Sequence, residues 1–225
     1  MQQVNRYFRF AKISEAKFRP LLRCFALDLS ATQTAQMTGI SVRSVNPIFQ
    51  RLREKLAQEC EKISPFSGDF EADESYFGPH RVRGRRGRGA GRKIIVFGLL
   101  KRDDNVYTQI MTNLSRAALQ AVIRGHAELD STIHTDGWSG YDGLVDLGYE
   151  RHFRVHHGEN EFAVGPNHIN GIESFWGFAK HRLTKFHGVS KSTFPLHLKE
   201  TEFRFNHRKD DLYKVLLSLL RKDPL

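Results

Sequence analysis

The hydrophobic period of this chain first switches from helical to strand-like at Ser64-Pro-Phe-Ser-Gly68. Upstream, apolar residues recur at helical spacing; downstream they alternate or run together as in strands. Turn formers between the two patterns make that segment a linker. The 225 residues are therefore read as a small all-α domain over 1–63, a linker over 64–68 and a larger α/β domain over 69–225. No internal repeat is evident.

In the first part, Leu21, Leu22, Phe25, Ala26 and Leu29 follow helical spacing. Two shorter helices come next. Ser30 can cap a helix over Ala31 to Met37, Gly39 supplies its C-terminal turn, and Ser41 can cap a following helix that carries Arg43, Gln50, Arg51 and Arg53. Two short helices joined by a glycine-containing turn predict helix-turn-helix DNA binding, with an ordinary helical hairpin as the alternative. Pro47 kinks the second helix unless Asn46 is its true cap and Pro47 its first residue.

The second part reads as strands near 69–77, 93–101 and 106–111, a helix over 115–128, a strand over 131–136, a short helix around Tyr141 to Leu147, and a strand near 151–156. That βββαβαβ order, followed by helices, predicts a mixed sheet flanked by helices. The longest apolar run, Ile94 to Leu100, is too short to span a bilayer, and the N-terminus lacks the apolar stretch of a signal peptide. A soluble cytoplasmic protein without a membrane partner is expected. Cys24 and Cys60 support neither a disulfide framework nor a cysteine-based zinc ribbon. His152 and His156 have a four-residue spacing that a strand would hold too far apart for zinc.

Lysines and arginines number 35 against 25 acids, a formal charge of +10 that favours an anionic partner. From His80 to Lys93 there are six arginines (Arg81, Arg83, Arg85, Arg86, Arg88 and Arg92), Lys93, four glycines and no acid. Arginine forks on such a backbone suit phosphate contacts and groove entry; a solvated loop without a specific partner is the alternative. No Gly-x-x-x-x-Gly-Lys-Ser segment is present, which disfavours nucleotide hydrolysis.

Against this basic background three acids stand out. Asp73 lies mid-strand in Glu71-Ala-Asp-Glu-Ser-Tyr-Phe77, sharing a face with Ser75 and Phe77, while Glu74 points to the other face. Alone, Asp73 reads equally as a solvated edge-strand charge. Asp136 ends the strand of His134-Thr-Asp-Gly-Trp138, at a strand edge where sites on open α/β sheets collect; a helix cap or turn former is its bland reading. Its neighbour Trp138 can stack on a base or simply pack. Glu173 borders a helical stripe of Ile172, Phe175, Trp176, Ala179, Leu183 and Phe186, and Lys180 projects from nearly the same direction two turns on. Asn170 and Glu173 also fit a capping box, and Asn170 is an alternative oxygen ligand. Three acids from distant segments can converge on divalent cations that clamp a phosphodiester displacement.

Taken together, Asp73-Glu-Ser-Tyr-Phe-Gly78, His134-Thr-Asp-Gly-Trp-Ser-Gly-Tyr141, Asn170-Gly-Ile-Glu-Ser-Phe-Trp176 and Glu202-Phe-Arg-Phe-Asn-His-Arg208 resemble the DDE transposases of bacterial insertion sequences, the ISXO-type group. Nearly the full chain is covered, and 36 residues separate Asp136 from Glu173, a spacing typical of such enzymes. The resemblance implies an RNase H-like catalytic domain preceded by the helix-turn-helix domain. It implies catalytic and metal-holding roles for Asp73, Asp136 and Glu173 (or Asn170 as third ligand), with Lys180 at the scissile phosphate and Asp73 bridging two Mg2+ ions, Mn2+ being a substitute. DNA is the implied partner, both the element's terminal repeats and the target, with a homodimer or larger assembly on it. The expected DNA contacts are Arg43, Arg51, the arginines of the basic loop, Lys93, Trp138, Lys180, Arg182 and Lys185. Relatives with an N-terminal cysteine ribbon differ from this chain, so end recognition falls to the helical region and basic loop. A related nuclease or resolvase without strand transfer, and a non-catalytic helix-turn-helix protein, share these features in part.

Overall fold

A computed structural model describes residues 5–62, 67–78, 93–102, 105–136, 141, 149, 151–155 and 169–225. They form two units, one of residues 1–61 with 206–225 and one of residues 62–205.

The first unit contains α1 (Glu15–Ala26), α2 (Ala31–Thr38), α3 (Val42–Cys60) and the C-terminal α7 (Leu212–Lys222). The sequence division assigned everything after residue 68 to one domain; here α7 packs on α1 instead. Its Leu216 and Leu220 are buried, as are Phe18, Leu21, Leu22 and Phe25 of α1 and Val45, Ile48, Phe49 and Leu52 of α3. The chain end is fixed by two backbone bonds, Arg9 N–H to Leu225 O at 2.9 Å and Leu225 N–H to Tyr7 O at 3.0 Å, and Lys55 pairs with Asp223. A C-terminal helix so far along the chain from α1 leaves no local trace in the pattern of the N-terminal helices.

Ser30 begins α2 with a reciprocal capping box, its hydroxyl accepting from Gln33 N–H at 3.2 Å while Gln33 Oε1 accepts from Ser30 N–H at 2.9 Å. Gly39 closes α2 in the left-handed region at φ 68°, where a side chain would be strained. Ser41, not Asn46, caps α3, accepting from Ser44 N–H at 3.3 Å. Pro47 is therefore inside the helix. The buried face Val45, Ile48, Phe49 and Leu52 runs continuously past it, and that packing outweighs the lost backbone bond.

The second unit is a five-stranded sheet built from β1 (Asp69–Phe77), β2 (Ile94–Lys101), β3 (Val106–Met111), β4 (Thr132–Asp136) and β5 (Arg151–Val155), in the order β3-β2-β1-β4-β5. β1, β2 and β3 are antiparallel neighbours, whereas β1 with β4 and β4 with β5 are parallel. The RNase H-like mixed sheet expected from the sequence is thus present. The helix α4 (Arg116–His126) covers one face, burying Leu119, Val122 and Ile123 against Phe70, Ala72, Phe97, Leu99 and Ile133. The helices α5 (Asn170–Thr184) and α6 (Phe194–Asn206) cover the other, where Ile172, Phe175, Trp176, Phe194 and Phe205 pack with Phe77, Val96, Leu100 and Val106. The short helix expected at 141–147 and the basic segment 80–92 lie outside the described residues, apart from Tyr141.

Candidate active site

The period-two alternation of β1 sends Phe70 and Ala72 to the α4 side and leaves Glu71, Asp73 and Ser75 on the α5 side. Its parallel register with β4 runs from Asp69 opposite Thr132 to Ala72 opposite Thr135. The next position along puts Asp73 beside Asp136, and because Ile133 faces α4, Asp136 shares the α5 face with Asp73. Two of the three expected acids are therefore brought together at neighbouring strand positions. Glu74, the rival on β1, is turned to the opposite face, where Tyr141 O–H donates to its Oε2 at 3.0 Å. Burial first, then the charge of Glu74, pushes the Tyr141 phenol well above its ordinary 10.

Asp73 is half-buried and held by two N–H groups: Oδ1 accepts from Glu74 N–H at 2.8 Å and Oδ2 from Trp176 Nε1–H at 3.0 Å. Burial pushes its carboxyl up to about 6 from 3.8, and Glu74 and Asp136 push the same way; the two N–H groups pull against them. The Trp176 contact needs the glycine opposite Asp73. Gly98 is the register partner of Asp73, and a Cβ there would stand 2.6 Å from Trp176 Cζ2.

A second latch, which the sequence reading missed, joins β1 to α5. Glu71 is fully buried; its Oε2 accepts from Ile172 N–H at 2.9 Å, and its Oε1 accepts from Arg102 Nε at 3.1 Å. It thereby serves the first turn of α5, which has no side-chain cap of its own. Asn170 is the first residue of the helix and not a cap, so the capping-box reading of Asn170 with Glu173 does not hold. Gly171 is required here, since a Cβ would meet Leu100 Cδ2 at 2.7 Å and Glu71 Oε2 at 2.9 Å. The usable signal was an acid two residues before Asp73, on the same strand face.

These two latches set the rotation of α5. Phe175 faces Phe205 of α6, ring centroids 5.1 Å apart, and α6 lies over β3, where Thr108 N–H and Oγ1–H both donate to Glu202 Oε2. At about 100° per residue, Glu173 lies about 160° from Phe175 and so points away from β3, on the β1–β4 side. Lys180 falls within about 20° of Glu173 and Asn170 about 60° further from Trp176. Glu173, Lys180 and Asn170 are all exposed. Among the described residues no three His, Cys, Asp or Glu side chains cluster closely enough to hold a metal ion. Asp73 and Asp136 form the pair; Glu173 stands on the exposed flank of α5 and does not join them in a cluster.

The expected DNA contacts divide. Arg43 and Lys93 are exposed, and Arg51 is exposed with its guanidinium 5.2 Å from the Phe8 ring. Arg182 is buried in the structure. Its Nη2 pairs with Glu200 at 2.6 Å and its Nη1 donates to Thr201 Oγ1 at 2.8 Å, so its donors are used inside α5–α6 packing and cannot face DNA. Lys185 is half-buried, its Nζ 4.9 Å from the Phe186 ring. Trp138 and the arginines from Arg81 to Arg92 lie outside the described residues.

The family model of the ISXO2-like transposase domain matches residues 65–206, which include the whole sheet, both latches and all three acids. The chain belongs to that family. Among curated relatives of this transposase domain, a transposase-like protein of Haemophilus influenzae is 40% identical over 117 residues, 52% of this chain and 91% of that protein. A protein in transposable element ISH50 of Halobacterium salinarum is 29% identical over 179 residues, 72% of this chain and 60% of its own length. Solved structures show weaker likeness. A simian T-cell lymphotropic virus intasome in complex with PP2A regulatory subunit B56 gamma matches at TM-score 0.41 and 12% identity, covering 84% of this chain and 68% of that one. The Mos1 strand transfer complex matches at 0.34 and 11%, covering 92% and 75%. At these scores the fold rests on the strand order and directions above. Among the described residues no helix is long and apolar enough to cross a membrane.

Proposed function

We propose that this transposase-family chain binds DNA and performs cation-dependent strand cleavage and strand transfer, with Asp73, Asp136 and Glu173 as cation-holding acids and Lys180 as a phosphate contact. The observation that carries this reading is the Asp73–Asp136 pair. Asp73 stands beside Asp136 of the neighbouring strand, burial raises the Asp73 carboxyl to about 6 with the nearby acids pushing the same way, and among the described residues its hydrogen-bond donors are two uncharged N–H groups. Such a donor set suits a hard divalent cation, Mg2+ or Mn2+. When bound, the cations supply Lewis-acid polarisation of the phosphodiester and ionisation of the attacking hydroxyl at neutral pH.

The chain's own residues do the rest. Trp176 fixes Asp73 Oδ2, and Glu71 fixes the start of α5, so the helix that carries Glu173 is set in height and rotation against β1. Glu173 is favoured over Asn170 as third acid because Asn170 is turned further from the sheet. Lys180 holds a phosphate oxygen next to the scissile bond. Hydrolysis at an element end releases a 3′-hydroxyl, and that hydroxyl displaces a 3′-oxygen at a target phosphodiester. Bringing two ends together calls for a dimer or larger assembly on DNA, working in the cytoplasm.

The test is incubation of the protein with labelled element ends, target plasmid and Mg2+. Joined product supports transposition; cut product alone identifies a nuclease, and binding alone a regulator. Either of the latter two results overturns strand transfer.

A further inference from the structure

The motif that catalysis does not absorb is the α2–α3 pair. From Leu29 to Arg53 the chain has three arginines and no acid, an interval bounded by Asp28 and Glu54. Within it, α3 is divided cleanly around its axis. Val45, Ile48, Phe49 and Leu52 are buried, and on the opposite side Arg43, Asn46, Pro47 and Gln50 form one exposed stripe spanning about 100°. Arg51 and Arg53 stand on either flank of that stripe, at about 80° each way. Each lies over an aromatic ring: Arg51 is 5.2 Å from Phe8, and Arg53 is 5.8 Å from Phe25 and from Phe49.

We infer that this stripe is a base-reading surface for duplex DNA, with Arg51 and Arg53 as phosphate clamps beside it. The inference rests on the DNA-binding reading above and names its specificity residues. Arginine is the commonest bidentate reader of guanine, and asparagine and glutamine read adenine through one N–H and one carbonyl oxygen. Gln50 is prepared for that. Its Nε2 donates to Glu54 Oε1 at 3.0 Å, which orients the amide and leaves one N–H and Oε1 for a base. An exposed apolar contact for a thymine methyl group is present in Pro47. At about 1.5 Å per residue, Arg43 to Gln50 span roughly 10 Å, the rise of about three base steps. The charge complements the phosphate backbone, and the acid Glu54 marks where the stripe ends.

The experiment is selection of duplexes from a random-sequence DNA library by the full-length chain, followed by affinity measurement on the enriched sequence. The expected result is a motif with a G and at least one A within about four base pairs. Asn46→Ala and Gln50→Ala each relax one base position by roughly ten- to a hundredfold. Arg51→Ala weakens all duplexes alike and lowers the salt slope by about one. Circular dichroism and thermal melting confirm that these exposed-site variants fold. An enriched motif indifferent to Arg43, Asn46 and Gln50 overturns this inference and leaves DNA binding standing. Absence of any duplex binding overturns both.

Discussion

Two groups of acids in the sheet-containing unit meet opposite fates. In α6, Glu200 is buried between Arg182 at 2.6 Å and Arg204 at 2.8 Å, and Glu202 is buried with Lys199 at 3.1 Å and both donors of Thr108. On β1, Asp73 has Asp136 for a neighbour, and among the described residues its hydrogen-bond donors are two neutral N–H groups. A fold that gives two α6 acids their own cations gives Asp73 none among the described residues. The first group ties helices and sheet together through ion pairs and hydrogen bonds; the second sets two acids side by side, with the Asp73 carboxyl raised.

The largest effect separating the two groups is on chemistry. Asp136→Asn should lower Mg2+-dependent cleavage by at least about a thousandfold, several kcal/mol of barrier, while duplex affinity stays within about twofold. Near-normal cleavage by that variant would dissolve the distinction. Next comes stability. Glu200→Gln strands Arg182 and Arg204 in the interior and should cost about 3–5 kcal/mol in denaturant unfolding.

Asp73 should behave in the reverse sense. In the cation-free protein its folded value, about 6, lies above the ordinary 3.8, so the folded state binds the proton more tightly. Stability is therefore fullest below about pH 4 and falls as pH rises to about 6, by at most about 3 kcal/mol. Asp73→Asn should flatten that slope and, above pH 6, melt no lower than the parent. A lower melting temperature for Asp73→Asn at pH 8 would place Asp73 with the α6 acids. The smallest effect concerns Trp176→Phe. Loss of the indole N–H removes a bond that favours the charged carboxylate, so the acid limb of the cleavage profile should move to higher pH with little change in the plateau.

Much of the fold could be read from local pattern. β1 was placed at 69–77 by alternation, and the same period put Asp73 and Glu74 on opposite faces, as they are. Ser30 and Gly39 announced their turn through side-chain and backbone chemistry that needs no distant partner. What failed was non-local. Arg182 reads as a surface cation until Glu200, on another helix, is placed beside it. Glu71 finds its partner 101 residues away, and α7 belongs with helices at the other end of the chain. Pro47 misled because the penalty for an internal proline is local while the packing that outweighs it is not. The adjacency of Asp73 and Asp136 depends on parallel strand register, which alternation alone does not supply.

Whether the Asp73–Asp136 pair takes a divalent cation is read from the melting temperature of the cation-free protein titrated with Mg2+ at pH 8 and at pH 5. Protons compete for Asp73 below about 6, so stabilisation is expected at pH 8, a weaker response at pH 5, and none in Asp73→Asn or Asp136→Asn. Equal Mg2+ stabilisation of the parent and both variants would contradict it.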